Sequence, residues 1–453
     1  MQNYKQHFKG KKITVMGLGL LGRGIGYTKF LAECGADLIV TDLKTKEQLK
    51  ASVEAITNYE LRIKNKKKIK FVLGEHRLED FKDRDMIIKA AGVPLDSIYI
   101  KEAEKNNIPV EMDVSLFAKC VPEVMLIGVT GTRGKSMTTA LIYEILKQNE
   151  KFLKRKVYIG GNVRGVATLP LLKKVKDGDI LVCELDSWQL QGFGDAKMSP
   201  HISVFTSFMP DHMNYYGNSM ERYFGDKANI FKYQKDNDVL IVRPHIKKII
   251  KKKIKSKLIV ADLEKVNDFD FIVPGEHQKE NLACAVEVAE LFKIPKIKIK
   301  NIVAKFKGLE GRLQYLKTIK GIRIYNDNNA TTPEATIAGI KALYQEGKEE
   351  KIILISGGAD KNLDLSLFIN VVNTFCKVMV LIPGSGTERL IKNYKLRITN
   401  KKVKNLKDAI KEAIKISKRG DVILFSPAFA SFGQFNNEYE RNDLFVKIIK
   451  KLK

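Results

Sequence analysis

Short apolar runs alternate with helical patterns of hydrophobic and polar positions along the whole chain. In the first 120 or so residues, apolar runs at 13–16, 37–41, 69–73, 86–90 and 108–112 predict strands, with amphipathic helices between them. Apolar strands that alternate with helices are typical of a parallel sheet covered on both faces. The pattern therefore predicts a doubly wound α/β block at the start of the chain.

Two further α/β blocks follow the first. The second block has apolar runs at 124–130, 157–159, 179–184 and 201–206. The third opens with a hairpin pattern, 313–318 and 322–326 around Lys320-Gly321, and continues with runs at 351–356, 378–382 and 421–425. We therefore predict an α/β protein of three domains, with limits at 1–122, 123–310 and 311–453.

Length and composition agree with this division. A chain of 453 residues is too long for one hydrophobic core and suggests roughly three domains. Hydrophobic residues make up 44% and charged residues 29%, which is typical of a globular protein. No run approaches the ~18 apolar residues of a membrane span, and the N-terminus lacks the apolar core of a signal peptide. Five scattered cysteines, without CxxC or metal spacing, predict a reduced, cytoplasmic protein.

The net charge of +28 raises the possibility of nucleic-acid binding. The excess charge is mostly lysine and is spread through every segment, with short dense runs at 66–68 and 247–257. Aromatic residues do not interleave with these runs, as a platform for stacking bases would require. We therefore expect neither a nucleic-acid partner nor a membrane partner. A nucleic-acid-binding protein stays an alternative, and it predicts binding that weakens steeply with salt.

Residues 124–136, VMLIGVTGTRGKS, combine a buried-strand pattern, a glycine-rich turn and the start of a helix. Backbone N–H groups at such a turn, a lysine and a serine hydroxyl are the groups that bind a nucleotide triphosphate and its Mg²⁺. Val129 stands where the strict spacing has its first glycine, because Gly128 lies one residue early. An ordinary turn with a surface Lys135 is the structural alternative. Strand, GKS and helix together favour a nucleotide site.

A second glycine pattern lies near the N-terminus. Gly17, Gly19 and Gly22 form GxGxxG after the first predicted strand, and Asp42 follows 20 residues after the last glycine. This is the dinucleotide-binding pattern, in which the acid binds a ribose hydroxyl. Alone it would predict an NAD-dependent oxidoreductase. Together with the later phosphate loop, it favours a nucleotide-linked substrate plus ATP.

Further candidate residues follow the phosphate loop. Glu184 ends a predicted buried strand, where a carboxylate can hold a metal against a triphosphate. His212 follows the next strand, Lys227 lies on a predicted helix, and Asn281 lies in the GEHQKEN segment at the start of another. Each residue alone has an ordinary structural explanation. Their order and spacing after a GKS loop favour one catalytic site.

These motifs together resemble the Mur ligase family of peptidoglycan precursor synthesis, and within it the ligases that add D-glutamate. The resemblance spans Gly17 to Arg441. The motifs that carry it are GLGLLGR and VTD near the N-terminus, GTRGKS, GGN at 160–162, ELDSWQL, PDHMNYY, NDNNAT at 326–331, GGADK at 357–361 and SPAFAS at 426–431. The sequence lacks the DNPR signature of the family members that add diaminopimelate or lysine. It also lacks the DxYNANP signature of the member that adds a dipeptide.

The resemblance implies the chemistry of an ATP-dependent amide ligase. Lys135 would neutralise the β- and γ-phosphates, and Ser136 with Glu184 would bind a first Mg²⁺. His212 would bind a second Mg²⁺ together with Lys227, which matches the carbamoylated lysine of the family. The carboxylate of UDP-N-acetylmuramoyl-L-alanine would attack ATP to give an acyl phosphate, and the amine of D-glutamate would then form the amide.

The resemblance also implies the binding residues and the role of each domain. The first domain would be Rossmann-like and bind the UDP substrate, the second a P-loop domain for ATP, and the third Rossmann-like and bind the amino acid and ATP. The chain would act as a monomer. ATP would contact Gly131, Thr132, Arg133, Gly134, Lys135, Ser136, Asn281, Arg312 and Asp327. The UDP substrate would contact Gly19, Leu20, Asp42 and Asn162. D-glutamate would contact Thr331, Lys361, Ser431 and Phe432.

Several positions depart from the family pattern. They are Arg133, Met137, Asp186, Gln278 and Asn329, then Leu21, Lys44 and 90–94 in the uridine region, and Gly433 and Glu438 in the last loop. An extra carboxylate at Glu438 would repel D-glutamate if it faced that substrate. The main alternative is therefore a ligase of the same fold that adds another amino acid or uses another acceptor, for example one linked to folate or lipid.

Overall fold

The computed structural model describes residues 4–20, 22–63, 68–250, 254–344 and 352–452. Leu21 and parts of both lysine runs lie outside the described residues. The chain divides into two compact units, which are Met1–Asn267 with Glu280–Ile299, and Asp268–Lys279 with Lys300–Lys453. The first unit contains two sheets and the second contains one.

The first sheet has five parallel strands in the order β3-β2-β1-β4-β5. Its strands are β1 (Lys12–Met16), β2 (Asp37–Asp42), β3 (Lys70–Leu73), β4 (Met86–Lys89) and β5 (Val110–Glu111). Its helices are α1 (Tyr4–Phe8), α2 (Arg23–Glu33), α3 (Lys50–Ile63), α4 (Ile98–Lys105) and α5 (Asp113–Cys120). The strand order reverses beside β1, so the predicted doubly wound sheet is confirmed.

The second sheet also belongs to the first unit and has six parallel strands in the order β11-β10-β9-β6-β8-β7. Its strands are β6 (Met125–Thr130), β7 (Val157–Gly161), β8 (Ile180–Glu184), β9 (Ile202–Phe205), β10 (Val239–Val242) and β11 (Lys257–Val260). The helices that follow are α6 (Lys135–Gln148), α7 (Glu150–Leu153), α8 (Ser187–Asp195), α9 (Met220–Ala228), α10 (Pro244–Ile249), α11 (Glu276–Leu291) and α12 (Lys296–Val303). The division between the units crosses α11 and α12.

The third sheet forms the second unit, with the order β12-β13-β17-β14-β15-β16. Its strands are β12 (Gln314–Ile319), β13 (Ile322–Asn326), β14 (Ile352–Ser356), β15 (Cys376–Leu381), β16 (Thr399–Lys402) and β17 (Val422–Phe425). Its helices are α13 (Pro333–Leu343), α14 (Ser366–Phe375), α15 (Ser385–Asn393), α16 (Leu406–Ile416) and α17 (Glu438–Lys451). Among the described strands of this sheet, β12 alone pairs antiparallel, with β13, as the predicted hairpin requires.

The central strands explain why the apolar runs predict the fold well. All five residues of β8 are buried, and so are all five of β14, because helices cover both faces of each sheet. The described chain has no helix long and apolar enough to cross a membrane. All five cysteines are buried and free, as predicted.

The sequence prediction missed three strands at or near sheet edges. These are β10, β11 and β16. Every residue of β16, Thr399–Lys402, is exposed and polar, so the strand carries no hydrophobic alternation that could reveal it. Such a strand forms because the backbone of β15 offers it hydrogen bonds, which a pattern of side chains does not record.

Candidate active site

The phosphate loop turns between β6 and α6 at glycines that no other residue could replace without strain. Gly131 has φ 145° and Gly134 has φ 89°. A Cβ atom on Gly131 would lie 2.1 Å from Thr206 Oγ1, and one on Gly134 would lie 2.5 Å from Asn281 Oδ1. Both glycines therefore let the turn pack closely against Thr206 and Asn281. As at any helix start, the first N–H groups of α6 have no acceptor within the helix.

Two lysines meet at one carbonyl of this loop. Lys135 Nζ donates to the Gly131 carbonyl at 2.9 Å and to the Thr132 carbonyl at 3.1 Å. Lys227 Nζ, from α9, donates to the same Gly131 carbonyl at 2.9 Å. Two cationic side chains and the N-terminus of α6 thus surround the turn, an arrangement that favours a highly charged anion such as a polyphosphate.

The end of β9 fixes the loop from the other side. Thr132 N–H donates to the Ser207 carbonyl at 2.7 Å, and Arg133 N–H donates to Ser207 Oγ at 2.8 Å. The Thr206 hydroxyl donates to the Arg133 carbonyl at 2.6 Å. Ser136 lies half-buried in the first turn of α6. The loop is therefore held in shape by the protein alone.

Glu184 lies beside the loop because β8 is the neighbour of β6. Glu184 pairs in register with Val129, two residues before the loop begins, and its side chain is buried at the end of β8. Asn162 N–H donates to the Glu184 carbonyl at 2.7 Å, and its amide lies 3.5 Å from Glu184 Oε1. The sheet thus brings two predicted residues, Asn162 and Glu184, to the edge that carries the phosphate loop.

His212 adopts a left-handed conformation, φ 55°, in the segment after β9. Its ring packs against Trp188, with 4.5 Å between the ring centroids. Burial lowers the pKa of His212, while the nearby Asp211 carboxylate raises it. The net lowering of the His212 pKa favours the neutral imidazole, which is the form that can offer a lone pair to a metal ion.

Lys227 is almost fully buried on α9, and burial lowers its pKa well below the ordinary value. The charge of Lys135 lowers it further, whereas Asp186, Asp211 and Asp226 raise it. The amine also lies 4.9 Å from the ring centroid of Tyr223. A lysine with a depressed pKa is more easily deprotonated, and the neutral amine is its nucleophilic form.

The sequence prediction missed Arg243, a buried arginine that follows β10. Its guanidinium donates to Asn281 Oδ1 and, at 2.6 Å, to Glu280 Oε2. Thr138 Oγ1 donates to the same Asn281 oxygen at 3.1 Å. Because two donors hold Asn281 Oδ1, the orientation of this predicted nucleotide-binding amide is fixed. No short motif contains Arg243, so the sequence offered no signal for this role.

The N-terminal glycine turn is closed by Asp42. One oxygen of this buried carboxylate accepts from Gly19 N–H at 2.8 Å and the other from Lys44 N–H at 2.9 Å. Gly17 has φ 92°, and a Cβ there would lie 2.8 Å from the Cβ of Ala90. Leu20 is exposed. The structure thus places Gly19, Leu20 and Asp42 together at the carboxyl edge of the first sheet.

In the second unit, backbone hydrogen bonds join three loops at the carboxyl edge of the sheet. Ala359 and Ala430 exchange two such bonds, of 2.9 and 3.1 Å, and Ala428 N–H donates to the Ala330 carbonyl at 2.9 Å. Lys361 Nζ donates to Thr331 Oγ1 at 3.1 Å. Ser431 follows Ala430 in sequence and is buried, whereas the next residue, Phe432, is exposed.

Asp327 directly follows β13, and its carboxylate is already hydrogen-bonded within the second unit. Its Oδ1 accepts from Leu313 N–H at 3.0 Å, and its Oδ2 accepts from the Ser426 hydroxyl at 2.8 Å. Burial raises the pKa of Asp327 to about 7, although both hydrogen bonds and the charge of Arg312 lower it. Asp327 therefore holds β13 against the last loop, besides the nucleotide contact predicted for it.

Arg441, on α17, is a second arginine that the sequence prediction did not assign. It is fully buried, and its guanidinium donates to Asn328 Oδ1 at 2.8 Å and to the Asn328 carbonyl at 3.0 Å. It also donates to the Phe429 carbonyl at 3.4 Å. Burial lowers the pKa of Arg441 to about 10, whereas the Glu438 carboxylate raises it. Glu438 therefore has a cationic neighbour on its own helix.

Other departures from the family pattern also have local explanations. Asp186 is the N-cap of α8, where its carboxylate accepts from Gln189 N–H at 2.8 Å in a capping box. Arg133 forms an ion pair of 3.4 Å with Asp211. Asn329 Oδ1 accepts from the Asn328 amide at 3.0 Å. Gly433 has φ 98°, which a glycine adopts without strain.

Comparison with known proteins places these motifs in a family context. Residues 129–269 match the model of the Mur ligase middle domain, and residues 311–429 match that of the Mur ligase glutamate ligase domain. The chain is 35% identical to a UDP-N-acetylmuramoylalanine–D-glutamate ligase from Borreliella burgdorferi strain ZS7, over 98% of each chain. It is 30% identical to the ligase of the same name from Clostridioides difficile, over 98% of this chain and 99% of the relative.

Solved structures share the fold at lower identity. A UDP-N-acetylmuramate–alanine ligase from Thermotoga maritima matches with a TM-score of 0.60 and 18% identity, over 98% of this chain and all of the other. A MurF ligase from Thermotoga maritima in complex with ADP matches with a TM-score of 0.57 and 18% identity, over 91% and 95% of the two chains. These likenesses show a common fold.

Removal of the buried guanidinium in the variant Arg243→Met is expected to weaken the binding of a non-hydrolysable ATP analogue roughly tenfold. This corresponds to about 1.4 kcal/mol, the order of one hydrogen bond to a charged group. Isothermal titration calorimetry measures the affinity. The matched control, Arg155→Met, removes an exposed arginine of the same unit. Unchanged affinity in a normally folded Arg243→Met protein would remove this positioning role.

Asp327 predicts a pH dependence of stability. Its pKa is about 7 in the folded chain and ~3.9 when unfolded, so the folded chain retains a proton between these values. Stability is therefore lost as pH rises from about 4 to 7. Asp327→Asn abolishes this loss, and we expect the variant to gain on the wild type by up to about 4 kcal/mol across that window. Urea denaturation at several pH values measures it, with exposed Glu334→Gln as control. Parallel curves for wild type and Asp327→Asn would contradict the expectation.

Proposed function

The chain belongs to the Mur ligase family, and we propose that it is an ATP-dependent ligase that joins D-glutamate to UDP-N-acetylmuramoyl-L-alanine in peptidoglycan precursor synthesis. The observation that carries this proposal is the similarity over 97% or more of the chain to D-glutamate ligases at 30–35% identity. The similarity covers 97% or more of this chain, so it spans both nucleotide-type motifs and favours the ligase over an oxidoreductase or a nucleic-acid-binding protein.

The phosphate loop is the part of the site where the first step would occur. A carboxylate oxygen of the alanine residue attacks the γ-phosphorus of ATP, and the bond from that phosphorus to the β-bridging oxygen breaks. The products are an acyl phosphate and ADP. Lys135 and the N–H groups of the loop neutralise charge on the transferring phosphoryl group. Asn281, fixed by Arg243 and Thr138, binds the nucleotide.

The second step forms the amide. The neutral amine of D-glutamate attacks the acyl carbonyl carbon, the bond between that carbon and the phosphate oxygen breaks, and inorganic phosphate and one proton leave. We assign the amino acid to the joined loops of the second unit, with Lys361 facing a carboxylate and Thr331 beside it. Ser431 and Phe432 complete this group of residues. Arg441 acts indirectly, by holding Asn328 and the Phe429 carbonyl.

The residues around the loop fit Mg²⁺. Among the described residues no cluster of three His, Cys, Asp or Glu side chains could hold a metal by itself. Mg²⁺ commonly uses one or two carboxylates together with substrate phosphates, so Glu184 and the Ser136 hydroxyl suffice for a first site. His212 would hold a second one, together with Lys227 if that lysine is carbamoylated. Bound Mg²⁺ supplies charge neutralisation to the phosphoryl oxygens.

Lys227 fits carbamoylation for a separate reason. Its pKa is lowered by burial and by Lys135, so the neutral amine that CO₂ requires is available. The modified side chain would be a carboxylate, which replaces a buried cation with an oxygen ligand for a metal. Three nearby carboxylates, Asp186, Asp211 and Asp226, favour the protonated amine and therefore oppose the modification.

The remaining assignments follow the order of the domains. We propose that Asp42, Gly19, Leu20 and Asn162 contact the UDP substrate within 1–122 and the start of the second domain. Residues 123–310 bind ATP, and 311–453 bind the amino acid with further nucleotide contacts from Arg312 and Asp327. We also propose that the enzyme acts in the cytoplasm as a monomer, with small-molecule substrates only.

The proposed reaction predicts phosphate release that depends on D-glutamate. Purified protein is incubated with Mg-ATP and UDP-N-acetylmuramoyl-L-alanine, and phosphate is measured with D-glutamate, L-glutamate or other amino acids. We expect release with D-glutamate alone, and a product mass that corresponds to one added glutamate. Release with another amino acid would transfer the assignment to a sibling ligase activity. No release with any amino acid would reject the acceptor.

The role of Lys227 predicts chemical rescue. Lys227→Ala removes the carbamoylated side chain, so activity should fall at least 100-fold, and a short carboxylic acid such as acetate should restore part of it. Lys232→Ala, which removes an exposed lysine just after the same helix, is the control and should stay fully active. Full activity of Lys227→Ala without acetate would exclude this residue from the mechanism.

A further inference from the structure

A groove in the second unit lies outside every residue assigned above. It has a volume of about 730 Å³ and lies between α16 and α17, with Phe435 among its lining residues. Its walls are two rows of apolar side chains with a spacing of four residues. One row is Leu406, Ile410 and Ile414, and the other is Leu444, Ile448 and Leu452. Leu406 and Ile410 are buried in the core, whereas the other four side chains are half-buried or exposed and offer apolar surface to a partner. Each row extends for roughly 12 Å along its helix.

The rims of this groove carry one sign of charge. Lys407 and Lys411 lie next to residues of the first apolar row, and Lys447 and Lys451 lie next to residues of the second. All four lysines are exposed, and no aspartate or glutamate is among the described residues that line the groove. An apolar floor between two lysine rims is complementary to a surface with the opposite pattern, an apolar stripe flanked by carboxylates.

We propose that the groove between α16 and α17 binds an acidic amphipathic helix of a partner protein. Such a helix presents apolar residues at i, i+3, i+4 and i+7, which match two rows with a four-residue period. Its flanking glutamates or aspartates would meet the lysines on both rims. About two turns of helix cover the length of the apolar rows.

Other occupants fit the groove less well. A second copy of the chain would bring the same lysine rims together in a symmetric dimer, and like charges would repel. A bilayer surface binds apolar side chains that project from the protein, whereas here the apolar side chains line a concavity. A soluble acidic helix avoids both problems.

The position of the groove gives the partner a route to the active site. Phe435 lies only three residues after Phe432, and Phe435 N–H donates to the Ser431 carbonyl at 3.3 Å. Ser431 and Phe432 are among the residues assigned to D-glutamate. An occupant that packs on Phe435 would therefore act on the loop that binds the amino acid, and we expect it to change the KM for D-glutamate more than kcat.

The test uses the full-length protein and a fluorescein-labelled peptide of 15 residues. The peptide has leucine at positions 1, 4, 8, 11 and 15 and glutamate or alanine elsewhere, and a second peptide has the same composition in scrambled order. Fluorescence anisotropy measures binding. The groove variant is Lys407→Glu with Lys447→Glu. The matched control, Lys415→Glu with Lys450→Glu, makes the same charge change on exposed residues of the same helices outside the groove.

We expect the patterned peptide to bind at least tenfold more tightly than the scrambled one. The groove variant should lose at least tenfold in affinity, whereas the control variant should stay within twofold. Leu444→Asp should abolish binding without a change in phosphate release in the absence of peptide, which shows that the protein still folds. Equal losses in the groove and control variants would mean attraction by general charge and would overturn the proposal. Preferential binding of the wild type to phosphatidylglycerol vesicles, lost only in the groove variant, would replace the partner helix with a membrane surface.

Discussion

The site depends on the carboxyl edge of the central parallel sheet, where β6, β8 and β9 end side by side. Val129 pairs with Glu184 on one side, and Thr130 pairs with Phe205 on the other. This register places the phosphate loop between a buried carboxylate and the segment that leads to His212. Residues that are about 50 to 100 positions apart in sequence become neighbours because β6, β8 and β9 run parallel and end at the same edge of the sheet.

The second constraint is electrostatic. Lys135 and Lys227 both donate to the Gly131 carbonyl, so two cations lie together in a partly buried site. Their mutual repulsion contributes to the low pKa of Lys227. A polyphosphate would relieve the repulsion by supplying negative charge, and carbamoylation would relieve it by converting one cation to an anion. The same feature would thus favour both the proposed binding of a polyphosphate and the proposed carbamoylation of Lys227.

The sequence predicted those parts of the molecule whose physical cause is local. Buried, largely apolar strands such as β8, and turns in which glycine has positive φ, leave a pattern within a few residues. The capping box of Asp186 and Gln189 is also local, since its two residues are three positions apart. From the sequence, Asp186 was interpreted only as a departure from the family pattern. Arg243 and Arg441 could not be found, because their partners are far away in sequence. Arg441 contacts Asn328, 113 positions earlier, and nothing near either residue in the chain indicates the contact.

In the proposed mechanism, the acceptor carboxylate takes the γ-phosphoryl group of ATP before the amide forms. Oxygen-isotope transfer tests it directly. UDP-N-acetylmuramoyl-L-alanine labelled with ¹⁸O in the alanine carboxylate is converted with ATP and D-glutamate, and the phosphate is analysed by mass spectrometry. An acyl phosphate predicts one ¹⁸O atom in each inorganic phosphate released. Unlabelled phosphate, or release of pyrophosphate and AMP instead, would contradict the account.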